Sequence, residues 1–257
     1  LNGNIIDGTE DSLGFYYNEL TLEPNKPTFI QAGNDIVNLS FLGENFYASD
    51  VTRIIAGHDI YDPVVGYDPV INGPSADYLT PALELAGPGY FDVQAGRNIG
   101  PLTSANAAYL TFGSSADSSS LNETISTGIE TVGDLDNALL APQSASISIL
   151  FGVGKGINDA GFADTYIDPA APPIPGVNSL TPQLVSYVEQ FEDDRRSRAG
   201  QNDPVILSPE QAWRIFETLP QYRQQAFIDQ QFFSILTQVG ADYNNQASPY
   251  YHQYARG

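Results

Sequence analysis

Three seven-residue segments of this chain repeat one another: Ile30-Gln31-Ala32-Gly33-Asn34-Asp35-Ile36, Ile54-Ile55-Ala56-Gly57-His58-Asp59-Ile60 and Val93-Gln94-Ala95-Gly96-Arg97-Asn98-Ile99. Each places a branched aliphatic three residues before a glycine, alanine just before it, Asp or Asn two after it and isoleucine three after it. In Phe91-Asp92-Val93-Gln94-Ala95 the apolar side chains alternate with polar ones, which is the period of a strand. Phe91, Val93 and Ala95 are expected to face a core, and Asp92 and Gln94 water. Gly33, Gly57 and Gly96 are read as supplying a backbone angle that other residues reach only at a cost. Asp35, Asp59 and Asn98 are read as turn residues that hydrogen-bond their own backbone. A fourth copy is Phe151-Gly152-Val153-Gly154-Lys155-Gly156-Ile157. A strand–turn–strand unit that recurs predicts stacked coils, since solenoid repeats run roughly 20–45 residues. The expected fold class is therefore mainly β: a right-handed parallel β-helix followed by a small C-terminal α-helical cap. Three hairpins of a sandwich sharing one turn chemistry are the alternative.

The pattern divides the chain into four segments. Residues 1–167 read as the β-helix, with short Val/Ile/Phe/Tyr runs punctuated by Gly, Asn, Asp and Pro. The best strands are residues 51–56 and 146–151. Residues 61–81 read as a proline-punctuated surface excursion and residues 113–122 as a polar loop suited to binding contacts. Residues 168–181 form a proline-rich connector. Residues 182–241 read as a cap of three helices. Thr181 caps the first, whose stripe is Leu184, Val188 and Phe191. Residues 192–204 read as a charged loop holding Arg195, Arg196 and Arg198. Ser208-Pro209-Glu210-Gln211 is a capping box opening the second helix. Pro220 opens the third, with Ile228, Phe232, Ile235 and Val239 on one face and a stop at Gly240. Residues 242–257 are an aromatic and polar tail, expected to be ordered only by docking on a neighbour.

Composition narrows the function classes. The net charge is −21, and there are only two lysines, Lys26 and Lys155. Such a field repels phosphate backbones, so no nucleic-acid partner is expected. There is no cysteine, hence no disulfide, thiol chemistry or Cys-ligated zinc. There is no methionine either, which suggests a processed product or a piece of something longer. No apolar run approaches the ~20 residues of a membrane helix. A polar but weakly charged surface suits an extracellular protein.

An enzyme is not expected. The two histidines are His58, at a repeat position also filled by Asn34 and Arg97, and His252, in an aromatic tail. No zinc-protease, phosphate-loop or dinucleotide fingerprint is present. No catalytic and no cofactor-binding residue is assigned. Asp35 and Asp59, stacked ~4.8 Å apart on adjacent coils, are the one candidate pair for Ca²⁺ or for sugar chemistry; a ladder of turn caps is the simpler reading. Tyr250, Tyr251 and Tyr254 are candidate interaction residues, because aromatic side chains give large contact areas. Asn122 and Asn38 match the glycosylation pattern and are not expected to be modified.

As a set, several motifs resemble a known family. They are the stretch from Ala32 to Phe41, Ala48-Ser49-Asp50-Val51-Thr52-Arg53-Ile54-Ile55-Ala56-Gly57, and the run from Gly87 to Gly100. Thr127-Gly128-Ile129-Glu130-Thr131-Val132-Gly133, the run from Phe162 to Pro169, Ser208-Pro209-Glu210-Gln211-Ala212-Trp213 and Tyr254-Ala255-Arg256-Gly257 continue the match. Together they resemble the C-terminal region, of unknown function, of filamentous-haemagglutinin-family outer-membrane proteins. His58 departs from the pattern, where a basic residue such as Arg is expected. The resemblance implies a large bacterial exoprotein exported by two-partner secretion and displayed on the cell surface in adhesion and biofilm. It implies no catalytic residues. The expected function is a non-enzymatic structural or adhesive module, able to self-associate into filaments or to bind other surface proteins. A carbohydrate-binding or carbohydrate-cleaving β-helix and a ligand of an outer-membrane signalling receptor, engaged through Arg195–Arg198, are the alternatives.

Overall fold

The computed structural model of the chain describes residues 3–6, 20–61, 83–100, 102, 128–135, 137–152, 154 and 156–253. The surface excursion beyond Tyr61, the polar loop 113–122 with Asn122, Val153 and Lys155 of the fourth repeat, and Tyr254 lie outside the described residues. Two compact units emerge. One comprises residues 1–46 and 52–156; the other comprises Tyr47–Val51 together with Ile157–Gly257.

The first unit is built of parallel strands. They are β1 (Ile5–Ile6), β2 (Leu20–Leu22), β3 (Phe29–Ala32), β4 (Ile36–Val37), β5 (Leu39–Glu44), β6 (Val51–Ala56), β7 (Ile60–Tyr61), β8 (Leu83–Ala86), β9 (Tyr90–Ala95), β10 (Ile129–Gly133) and β11 (Ser146–Phe151). Three separate sheets result, in the orders β1-β4-β7, β10-β8-β5-β2 and β11-β9-β6-β3, and consecutive strands always enter different sheets. Register follows the repeat: Ile30 pairs with Ile54, Ala32 with Ala56, and Ile36 with Ile60. Ile30, Ile54, Phe91, Val93 and Ala95 are buried in one core with Phe41, Leu83 and Leu85. The rings of Phe41 and Phe91 stack there at 6.1 Å.

The second unit is helical. A short helix α1 (Asp159–Phe162), capped by the Asn158 side chain, runs into a π-helical turn at Ala163–Ile167. Helices α2 (Thr181–Arg198), α3 (Pro209–Thr218) and α4 (Gln221–Asn244) follow. Tyr187 of α2 stacks on Phe227 of α4 at 4.7 Å, and Phe216 of α3 meets both rings edge-on. Leu184, Val188, Ala212 and Ile228 complete this core.

These elements correct the expected fold class. The chain is α/β, with 33% helix and 24% strand, and not a mainly β right-handed parallel β-helix with a small α-helical cap. Its parallel strands are sorted into separate sheets, and its helices form a compact unit of their own. The helices outgrow their expected limits for physical reasons. α2 continues through Arg195, Arg196 and Arg198, where cations suit the carbonyl end of a helix, so half of the supposed charged loop is helical. α4 runs through Gly240 to Asn244, since a lone glycine costs only about 1 kcal/mol. Leu180, not Thr181, stands at the N-cap of α2. At α3 the capping box of Ser208 and Gln211 is formed.

Candidate functional site

The side chains at the repeated turns reach across to the next strand connection rather than to their own backbone. Asn4 Oδ1 accepts from the Asp35 amide at 3.2 Å, and Asp35 Oδ1 from the Asp59 amide at 3.1 Å. Asp59 Oδ1 accepts from the Asn98 amide and from its side chain, each at 3.0 Å. Backbone bonds run beside them: Gly57 N to Ala32 O, Gly96 N to Ala56 O and Gly154 N to Gly96 O. Gly57 and Gly96 keep ordinary backbone angles. Their glycine identity answers to proximity instead: a Cβ on Gly57 would lie 2.0 Å from Gly33 O, and one on Gly96 2.1 Å from Gly57 O.

The Asp35–Asp59 pair holds a cation of the chain's own. Arg97 Nη2 lies 2.5 Å from Asp59 Oδ2 and 3.6 Å from Asp35 Oδ1. His58 Nδ1 is 3.9 Å from Asp35 Oδ1. Desolvation, the largest single influence on the Asp59 carboxyl, pushes its pKa up. Hydrogen bonds from the side chain and amide of Asn98, with the charge and hydrogen bond of Arg97, outweigh it, and the net shift is downward. Among the described residues no cluster of three or more His, Cys, Asp or Glu side chains is arranged to hold a metal.

Asp92, expected to face water, is buried. Its carboxylate meets the equally buried Arg53 at 2.5 Å, on the face of β9 and β6 opposite the hydrophobic core. Beside it, burial pushes the Tyr90 hydroxyl up to about 12. The signal for this pair was present: one charge of each sign stands at the same place, immediately before the branched aliphatic that opens the second and the third repeat.

The β11 edge carries the most unusual surface. In register, Ile147 pairs with Phe91, Ile149 with Val93 and Phe151 with Ala95. On β9 that face is fully buried, whereas on β11 Ile147 is 41% and Phe151 60% exposed. Leu135 and Leu139, on the connection from β10 to β11, are also exposed.

Of the candidate interaction residues, Tyr250 and Tyr251 are half-buried in a turn after α4. Tyr251 stacks on His252 at 3.8 Å, and the His252 amide donates to Tyr243 O. The tail through residue 253 is thus folded onto its own helix, correcting the expectation that only a neighbour orders it.

Sequence reasoning also missed residues 47–51. The Ser49 amide donates to Asp194 Oδ2 at 2.9 Å, Arg223 Nη1 donates to Ser49 O, and Arg198 Nη2 lies 2.6 Å from Asp50 Oδ1. The Arg198 guanidinium also covers the Tyr47 ring at 4.1 Å. No helix among the described residues is long and apolar enough to cross a membrane. Comparisons with known protein families, with curated proteins and with solved structures find no match to this chain.

Proposed function

We propose that the chain is a non-enzymatic structural or adhesive module of a bacterial surface exoprotein, and that it associates with other copies through the β11 edge. One observation carries this reading: the register that buries Phe91, Val93 and Ala95 on β9 leaves Ile147 and Phe151 exposed on β11. An apolar edge strand is a template for another strand, with hydrogen bonds and side-chain burial both on offer. Joining an edge to a different surface of the next copy makes an open filament when the rotation between copies does not close a ring. The extracellular setting and the adhesive role rest on the resemblance to filamentous-haemagglutinin-family proteins, and the polar, lysine-poor composition agrees with them.

The net charge of −21 opposes association at low salt. Screening shortens to about 3 Å at 1 M ionic strength, so self-association is expected to strengthen as salt rises. Sedimentation velocity and electron microscopy of the whole chain test this, alone and with I147K/F151K. The expected result is salt-promoted oligomers or filaments that the double variant abolishes. A monomer at every salt and protein concentration overturns the reading, as does assembly indifferent to the double variant.

A further inference from the structure

The helical unit holds a cavity that the self-association reading leaves unused. It lies between the π-helical turn and the start of α2, encloses about 260 Å³, and is lined by Tyr166, Asp168, Pro172, Ile174, Asn178 and Thr181 among others. Its walls are fixed before any ligand arrives. Asp168 Oδ1 accepts from the Ala170 amide at 2.8 Å, the Ala171 amide returns to Asp168 O, and the Val177 amide donates to Ile174 O. The prolines add pinned φ angles. Sequential turns of this kind hold a shape at little entropic cost on binding.

Much of the hydrogen-bonding capacity at the rim is unspent. Among the described residues, the second carboxylate oxygen of Asp168, the side-chain amide of Asn178 and the Tyr166 hydroxyl engage no protein partner. Thr181 Oγ1 accepts from Ser179 Oγ at 2.9 Å and keeps its own proton to donate. The lining therefore offers acceptors and donors together with apolar ring and proline faces. It contains no Lys, Arg or His, so with a net charge of −21 an anion has nothing to attract it. The volume falls below the ~300–1,000 Å³ of pockets that take drug-sized ligands.

From this lining we infer that the cavity binds one ring of a neutral saccharide, with Asp168 and Asn178 reading its hydroxyls and Tyr166 and the prolines lying against its C–H face. The inference does not rest on the proposed self-association. Saturation-transfer NMR and titration calorimetry on the whole chain test it, with the methyl glycosides of glucose, galactose and mannose, N-acetylglucosamine, and butylammonium as a cationic control. At least one sugar is expected to bind with a Kd on the order of 1 mM, and D168N and N178A to weaken it at least about tenfold, as loss of a hydrogen bond to a charged or well-placed group does. D164N, outside the cavity, is expected to change nothing. Three results each overturn the inference: no sugar binding, sugar binding that D168N and N178A leave intact, or butylammonium binding more tightly than every sugar.

Discussion

Gly96→Ala is the sharpest test of how the first unit is held together. The new methyl would sit 2.1 Å from Gly57 O and 3.1 Å from Gly154 O, where ordinary contact begins near 3.4 Å. Neither obstacle is the far end of a flexible side chain. Overpacking against side chains that can yield costs about 1–3 kcal/mol. Here the backbone must part by more than 1 Å at a place where Gly96 N bonds Ala56 O, Arg97 N bonds His58 O and Gly154 N bonds Gly96 O. Each such bond contributes about 1 kcal/mol net. Losing two of them on top of the steric term brings the expected cost to about 3–5 kcal/mol, a large part of the ~5–15 kcal/mol available to a domain. Urea unfolding followed by far-UV circular dichroism measures the loss, and hydrogen exchange locates it at residues 56–60 and 96–100. The control is Gly240→Ala in α4, where a Cβ meets open space and helix propensity favours alanine by about 0.5–1 kcal/mol. A Gly96→Ala loss below about 1 kcal/mol, with amide protection unchanged, would refute the argument that stacked backbones exclude a side chain there.

Two further outcomes follow from the charges of the same unit. Arg53→Met removes the cation that faces the buried Asp92 carboxylate, leaving neutral donors such as Gln94 Nε2, and is expected to cost about 3–5 kcal/mol, while Arg53→Met/Asp92→Leu recovers most of it; chemical denaturation of both variants checks this, and a double variant as unstable as the single one contradicts it. Asp59 has a folded pKa below its ordinary 3.8, so its stabilisation is complete above that value and is lost as pH falls through the folded pKa. Asp59→Asn is therefore expected to flatten the stability profile below about pH 4, and an unchanged slope in acid titrations would show that Arg97 and Asn98 do not act through this carboxylate.

What the sequence disclosed and what it concealed divide along physical lines. Local, periodic signals were legible. The strands at Val51–Ala56 and Ser146–Phe151, and the capping box at Ser208, each follow from a few neighbouring residues. The inward alternation of Phe91, Val93 and Ala95 was legible for the same reason. The balance of the fold was not, because helix length depends on tertiary packing that a charged stretch such as residues 192–198 does not announce. Gly57 and Gly96 answer to the close approach of another backbone, which leaves no trace in one strand's sequence, whereas Gly152, Gly154 and Gly156 of the fourth repeat do take positive φ. Asp92 and Arg53 face away from the core, as strand alternation requires. They are buried all the same, because alternation separates two faces and does not say which of them is wet. At the candidate edge, exposure of Ile147 and Phe151 was invisible to a pattern that reads every apolar alternate residue as core.

Residues 47–51 have a bearing on the order in which the chain matures. Their polar partners Asp194, Arg198 and Arg223 lie 145 to 174 positions downstream. Closing so long a loop is entropically unfavourable until its contacts are made, and such closures come late. During synthesis the Asp50 carboxylate can accept from the Tyr47 amide at once, but the guanidinium of Arg198 is made long after it. The aromatic cluster of α2, α3 and α4 can gather on its own schedule, but the guanidinium of Arg223 finds its carbonyl only when residues 47–51 are brought to it.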